Sequence, residues 1–207
     1  MKSTTDTTND TECQANDPTR QVGFRAMADG TPEEFALIDA LELRRARGTA
    51  DRVLTALRGI AEDPTGYRVD RLTHSLQSAT LAARNGEDED YVVCALLHDI
   101  GDDLAPHNHG AFAAEIVKPF VTRELWWMVR HHGTFQGYWF WHHLGLDRHT
   151  RDKHRDHPCF DMTARFCELY DQCAFDADYD TLPLSEFEPM VQRVFDRTPW
   201  SLWEGER

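Results

Sequence analysis

Cysteine is scarce and unpatterned in this chain of 207 residues. Its five cysteines are Cys13, Cys94, Cys159, Cys167 and Cys173, an odd count without a CxxC pair, which argues against a disulfide framework. Reduced cysteines imply a cytoplasmic setting. The first twenty residues contain no apolar stretch of the signal-peptide kind, and no segment approaches the roughly 20 apolar residues of a membrane span. Basic charge is short as well: 22 Lys and Arg stand against 36 Asp and Glu, for a formal net charge of -14. A balance of that sign repels phosphate backbones and anionic surfaces, so neither nucleic acid nor a membrane is an expected partner. Alternation of apolar and polar residues is also missing over any length that would make a sheet.

What is present is helical. Hydrophobic residues make up 41% of the chain, enough for a core, and the length suits one domain. Residues 1–22 are rich in Thr, Asp and Asn and cannot repay the entropy of ordering, so a disordered tail is expected there, followed by a single domain over 23–200. Thr31-Pro32-Glu33-Glu34 combines an N-cap, Pro at the first helical position and Glu at N3, and predicts a helix through Phe35, Ile38, Leu41 and Leu43 to about Gly48. Thr49 is placed to cap a second helix with Val53, Leu54, Leu57 and Ile60 inward. A third spans Arg71 to Arg84. A fourth follows the acidic Glu87–Asp90 and runs to His98-Asp99. Further helices are expected over 109–118, 122–132, about 134–144, about 158–174 and 185–196, with Gly and Pro as punctuation. The fold class is all-α.

His98-Asp99 closes a segment, Val92 to Leu97, that is apolar on every side and so belongs in a core. A carboxylate delivered there is costly unless it is paired or binds a metal. An isolated His-Asp pair is more often a core histidine beside a capping aspartate. Its company changes the reading. His74 lies on the preceding helix between apolar positions, His109 opens a helix of small residues, His132 follows an apolar run, and Asp171 comes late on another apolar face. Four imidazoles and two carboxylates suit iron, manganese or zinc better than calcium. His107 competes with His109, and the alanine-rich helix after it favours His109. Asp102 and Asp103 fit a place behind the metal ligands, a pocket, or a solvated acidic turn. His142, His143, His149, His154 and His157 lack a carboxylate pattern and are expected on the surface or in packing.

The order His74, His98-Asp99, Asp171 resembles the H…HD…D signature of the HD superfamily, all-helical metal-dependent phosphohydrolases and oxygenases. The resemblance covers about residues 65 to 175, and Leu96-Leu97-His98-Asp99-Ile100-Gly101 is its most specific piece. His109 and His132 resemble the extra ligands of the dinuclear subset, which includes the mixed-valent diiron oxygenases of the myo-inositol and organophosphonate-cleaving types. The family spacing favours His132 over its neighbour His131, which is left to line the pocket or face solvent. The resemblance implies that one metal takes His74, His98, Asp99 and Asp171, and that a second takes His109, His132 and the shared Asp99. It implies two iron ions in the Fe(II)/Fe(III) state, with O2 as co-substrate, and puts Asp99, His132 and Tyr67 among the catalytic groups. Tyr67 lies seven residues before His74, where related oxygenases have a pocket tyrosine.

Where those relatives carry basic residues near the site, this chain has Asp102 after the His-Asp turn and Gln136 after His132. With His131, these are the expected substrate-pocket residues. The departure shifts the expected substrate from inositol or a phosphonate toward another small, polar, hydroxylated metabolite. The expected activity is an O2-dependent diiron oxygenase. The alternative is a metal-dependent phosphohydrolase acting on a nucleotide or small phosphate ester.

Overall fold

A computed structural model describes residues 21–61 and 66–199. Of the expected tail, residues 1–20 lie outside the described part. All regular structure among the described residues is helical. The chain divides into two units, one up to Thr49 and one from Ala50 onward.

The first unit holds α1 (Pro32–Arg47). Its start is the expected capping box: Glu34 N–H donates to the Thr31 hydroxyl and the Glu34 carboxylate accepts from Thr31 N–H. The same carboxylate accepts from Gly23 N–H, and Phe24 packs on Phe35. Leu43, on the same helix, is 57% exposed. Thr49 does not precede α2 (Thr49–Gly59) as a cap; it is the first helical residue, its hydroxyl donating to the Ala46 carbonyl. Val53, Leu54, Leu57 and Ile60 are all buried, as their spacing predicts.

In the second unit α3 (Arg71–Arg84) starts at Asp70, whose carboxylate accepts from Thr73 N–H. Next comes α4 (Glu89–Leu97), capped in the same way by Asp88. Every residue from Tyr91 to Leu97 is buried, because α4 packs against α3, α6 and α8 and has no side left for water. This central helix sets where His98 and Asp99 emerge. It is followed by α5 (His109–Val117) and α6 (Arg123–Phe140), which pack on each other.

The two helices expected over 122–132 and 134–144 are one, α6, followed by a 3-10 turn at Trp141–Leu144. Gly133 does not break it. A glycine inside a helix costs only about 1 kcal/mol relative to alanine, and burial of Trp127, Met128, His132 and Phe135 on one face outweighs that. A second 3-10 segment, Arg148–His154, was not foreseen. The helix expected over 158–174 is split: α7 (Phe160–Phe166) passes into a π turn at Cys167–Asp171. Five residues are too few for the apolar pattern to distinguish a wide turn from an α-helical one. The last helix is α8 (Leu184–Phe195).

Candidate metal centre

Five segments bring six metal-ligating side chains together at the inner end of α4. His98 caps that helix and Asp99 follows. Asp102 N–H bonds back to the Asp99 carbonyl, turning the chain sharply after the motif. His74 comes from the first turns of α3, Asp171 from the π turn, His109 from the start of α5, and His132 from the middle of α6.

Close helix packing makes this possible. A side chain at Gly101 would place its Cβ 2.9 Å from the His109 carbonyl oxygen. At Gly110 it would lie 3.0 Å from the Val129 carbonyl oxygen and 3.1 Å from the His132 ring. Glycine at these positions lets α5 sit against both the His98-Asp99 turn and α6, and so draws His109 to His132.

The donors form two sets that share Asp99. On one side, His74 and His98 present their Nε2 atoms 3.2 Å apart. Asp99 Oδ2 lies 3.5 and 3.4 Å from those two nitrogens, and Asp171 Oδ1 lies 3.4 and 3.7 Å from them. On the other side, His109 and His132 present Nε2 atoms 3.2 Å apart, and Asp99 Oδ1 is 3.5 and 3.1 Å from them. Each oxygen of one carboxylate therefore faces its own pair of imidazoles.

The tautomers follow from the backbone. Nδ1 of His74, His98 and His132 lies 3.0, 2.8 and 2.7 Å from the carbonyls of Ala174, Ala95 and Val129. A carbonyl can only accept, so each Nδ1 carries the hydrogen and each Nε2 keeps its lone pair for the centre. Lone pairs 3.2 Å apart repel unless a cation lies between them. Asp171 makes the same demand, since its Oδ2 is buried with no hydrogen-bond partner. The donor set therefore fits a metal centre, with Asp99 shared between the two imidazole pairs.

Burial and the facing charges pull the pKa values of the centre in opposite directions. Burial disfavours a charged His74, but Asp171 and Asp99 outweigh it and raise its pKa above the ordinary imidazole value. For His98 burial is likewise outweighed by Asp99 and Asp171. Burial would raise Asp99, yet His98 and His132 hold it well below the usual carboxylate range. Asp171 is depressed against its burial by His74 and His98. His109 moves the other way, lowered by burial and by His132.

The centre forms one wall of a cavity of about 820 Å³. The His98 side chain is fully buried and that of His109 is 27% exposed, so the second set is the more open one. His109, not His107, reaches the centre; His107 is exposed on the cavity rim. His132 reaches it too, whereas His131 turns away onto Trp127 and His154 while still lining the cavity. Burial, with His154 next, pushes the His131 imidazole down to about 4. Tyr67 stands at the rim, 62% exposed, against Phe175, which stacks on His74. Gln136 lines the cavity and its Oε1 is buried without a partner. Asp102 also lines it, paired with Arg71 and with His109.

Two kinds of residue escaped the sequence reading. Cations were sought after the His-Asp motif, but Arg71 lies before it, three residues and so one helical turn ahead of His74, and it lines the cavity with Arg130. That i, i+3 relation was the available signal. Trp139 lines the cavity too, with its indole nitrogen buried and unpartnered.

The HD domain model matches residues 71–180, from the first residue of α3 to beyond the π turn. The chain belongs to the HD domain family. The match spans all six donors. A relative from Leisingera caerulea, the [1-hydroxy-2-(trimethylamino)ethyl]phosphonate dioxygenase (glycine-betaine-forming), is 28% identical over 166 aligned residues. That alignment covers 66% of this chain and 84% of the relative. An HD domain and a dioxygenase relative together point to an enzyme. No helix among the described residues is long and apolar enough to cross a membrane.

Proposed function

We propose that this HD-domain protein is a non-haem diiron oxygenase that uses O2 to oxidise or cleave a small, polar, hydroxylated metabolite. The observation that carries the reading is Asp99, one carboxylate whose two oxygens face two separate pairs of imidazoles. A mononuclear site has no use for the second pair. The dioxygenase relative supports oxygen chemistry at such a centre.

Two iron ions held there in the Fe(II)/Fe(III) state supply the activation of O2. The protein's own groups do the rest. His74, His98 and Asp171 make the closed side, and Asp99 ties it to the open side at His109 and His132. The cavity beside the open side is of a size for a small metabolite. Gln136 and Trp139, each with a buried polar atom lacking a protein partner, are placed to hydrogen-bond a substrate's hydroxyl or other polar group. Phe175, stacked on His74 with Tyr67 outside it, shields the centre from water.

The hydrolytic alternative draws on Arg71 and Arg130, since guanidinium groups bind phosphoryl oxygens well. Both already have carboxylate partners, Asp102 and Glu115, which weakens that reading. The deciding experiment is metal analysis of the purified protein, with low-temperature EPR of the partly reduced form and O2 uptake in the presence of hydroxylated candidates. Two irons, a coupled mixed-valent signal altered by substrate, and O2 consumption are expected. Phosphate-ester hydrolysis without O2, from an EPR-silent protein, would overturn the reading.

A further inference from the structure

Asp102 was expected in the substrate pocket, yet its surroundings give it other work. Its residue is only 8% exposed, in the turn directly after the His-Asp motif. One carboxylate oxygen, Oδ2, pairs with the Arg71 guanidinium. The other, Oδ1, lies 3.1 Å from Nδ1 of His109. His109 differs here from the other three imidazoles of the centre. Their Nδ1 atoms meet backbone carbonyls at 2.7–3.0 Å, whereas the carbonyl nearest His109 Nδ1, that of Pro106, is 3.4 Å away. Asn108, which precedes α5, makes no side-chain cap. At His109 Nδ1 the Asp102 carboxylate is the nearer of two oxygens, the Pro106 carbonyl being the other.

We propose that Asp102 is a positioning residue for the second metal, fixing the tautomer and orientation of His109, and that Arg71 anchors Asp102 for that task. The inference rests on the dinuclear reading above. Asp102 approaches His109 at Nδ1, while Nε2 faces His132 and Asp99; the lone pairs of the two nitrogens diverge on either side of Cε1, which puts Asp102 behind the ligand. Direct ligation by Asp99, Asp102 and His109 together is the alternative the test separates. An acceptor at Nδ1 makes Nε2 a better donor and stops the ring from rotating. The Asp102 charge is thereby balanced by Arg71 and engaged by His109, so it does not select a cationic substrate. Because Arg71 lines the cavity with its side chain 33% exposed, the second metal's ligand is linked to a residue within a substrate's reach.

Metal binding itself is the test, read by Fe(II) titration of the apoprotein with ICP analysis, and independent of turnover. Wild type is expected to take two ions. Asp102→Ala keeps the first ion and binds the second about 10–100-fold more weakly, the usual cost of losing an outer carboxylate. Asp102→Asn restores most of that affinity, since its amide oxygen still accepts from Nδ1–H. Arg71→Gln weakens the second ion less than Asp102→Ala does. Circular dichroism checks that the variants fold, and the retained first ion serves as an internal control. Wild-type affinity for both ions in Asp102→Ala overturns the proposal while leaving the dinuclear centre standing. An Asn variant as impaired as the Ala variant also overturns it, since that marks Asp102 as a direct anionic ligand. A wild-type protein that takes one ion overturns the dinuclear reading and this inference with it.

Discussion

Which histidines would hold the proposed second metal is a question for single side chains. His109→Ala and His132→Ala should each leave about one metal per chain, because each removes an Nε2 from the pair at 3.2 Å. His107→Ala and His142→Ala should keep two, and metal counts that treat all four variants alike would refute the assignment. Glu87 gives a pH test away from the centre. It accepts from Tyr170, the residue before Asp171, and pairs with Arg165. Its burial opposes ionisation, but the Tyr170 hydroxyl and Arg165 outweigh that and lower its pKa. A carboxylate with a depressed folded pKa contributes stability above its unfolded value, about 4.3, and loses it as pH falls through the folded value. Urea midpoints of wild type should therefore fall more steeply below pH 4 than those of Glu87→Gln; parallel profiles would remove Glu87 from the acid response.

At the scale of elements, α5 matters most, because its distance from α6 sets the second donor pair. Gly110→Ala places a Cβ 3.0 Å from the Val129 carbonyl and 3.1 Å from the His132 ring, and α5 must yield by a few tenths of an ångström. The expected cost in stability is about 1–3 kcal/mol, typical of overpacking, with a larger effect on the second metal than on the first. Equal weakening of both ions, measured by titration, would mean that α5 does not set the pair specifically. Helix α4 was legible because Val92 to Leu97 is apolar all round, and only full burial accommodates that. The course of α6 was not, since Gly133 reads as punctuation when only its neighbours along the chain are considered. Its helix continues because one face of Trp127, Met128, His132 and Phe135 is buried from end to end.

For the whole molecule, the centre gathers carboxylates and imidazoles from five segments spread over nearly a hundred residues, so metal binding couples to global folding. A ligand that binds only the folded state at 100 times its Kd adds about 2.7 kcal/mol. For a chain of this size that is worth roughly 5–10 °C in Tm. Chelation should lower Tm by about that amount in calorimetry, and restored Fe(II) should recover it; an unchanged Tm would mean that the cluster carries no metal in the folded state. The net charge of -14 does not describe the cavity, where Arg71 and Arg130 stand among the local carboxylates. Composition and pattern alone determined the helical class, the buried end of α4 and the kinds of donor available, because periodicity and the cost of burying His98 and Asp99 are local properties. Tertiary structure alone decided that Asp102 turns to His109 and Arg71, that Arg71 enters the cavity, and that His131 faces Trp127 and His154. Those outcomes depend on how closely helices approach and which way a ring faces, and both are set by packing between segments distant in the chain.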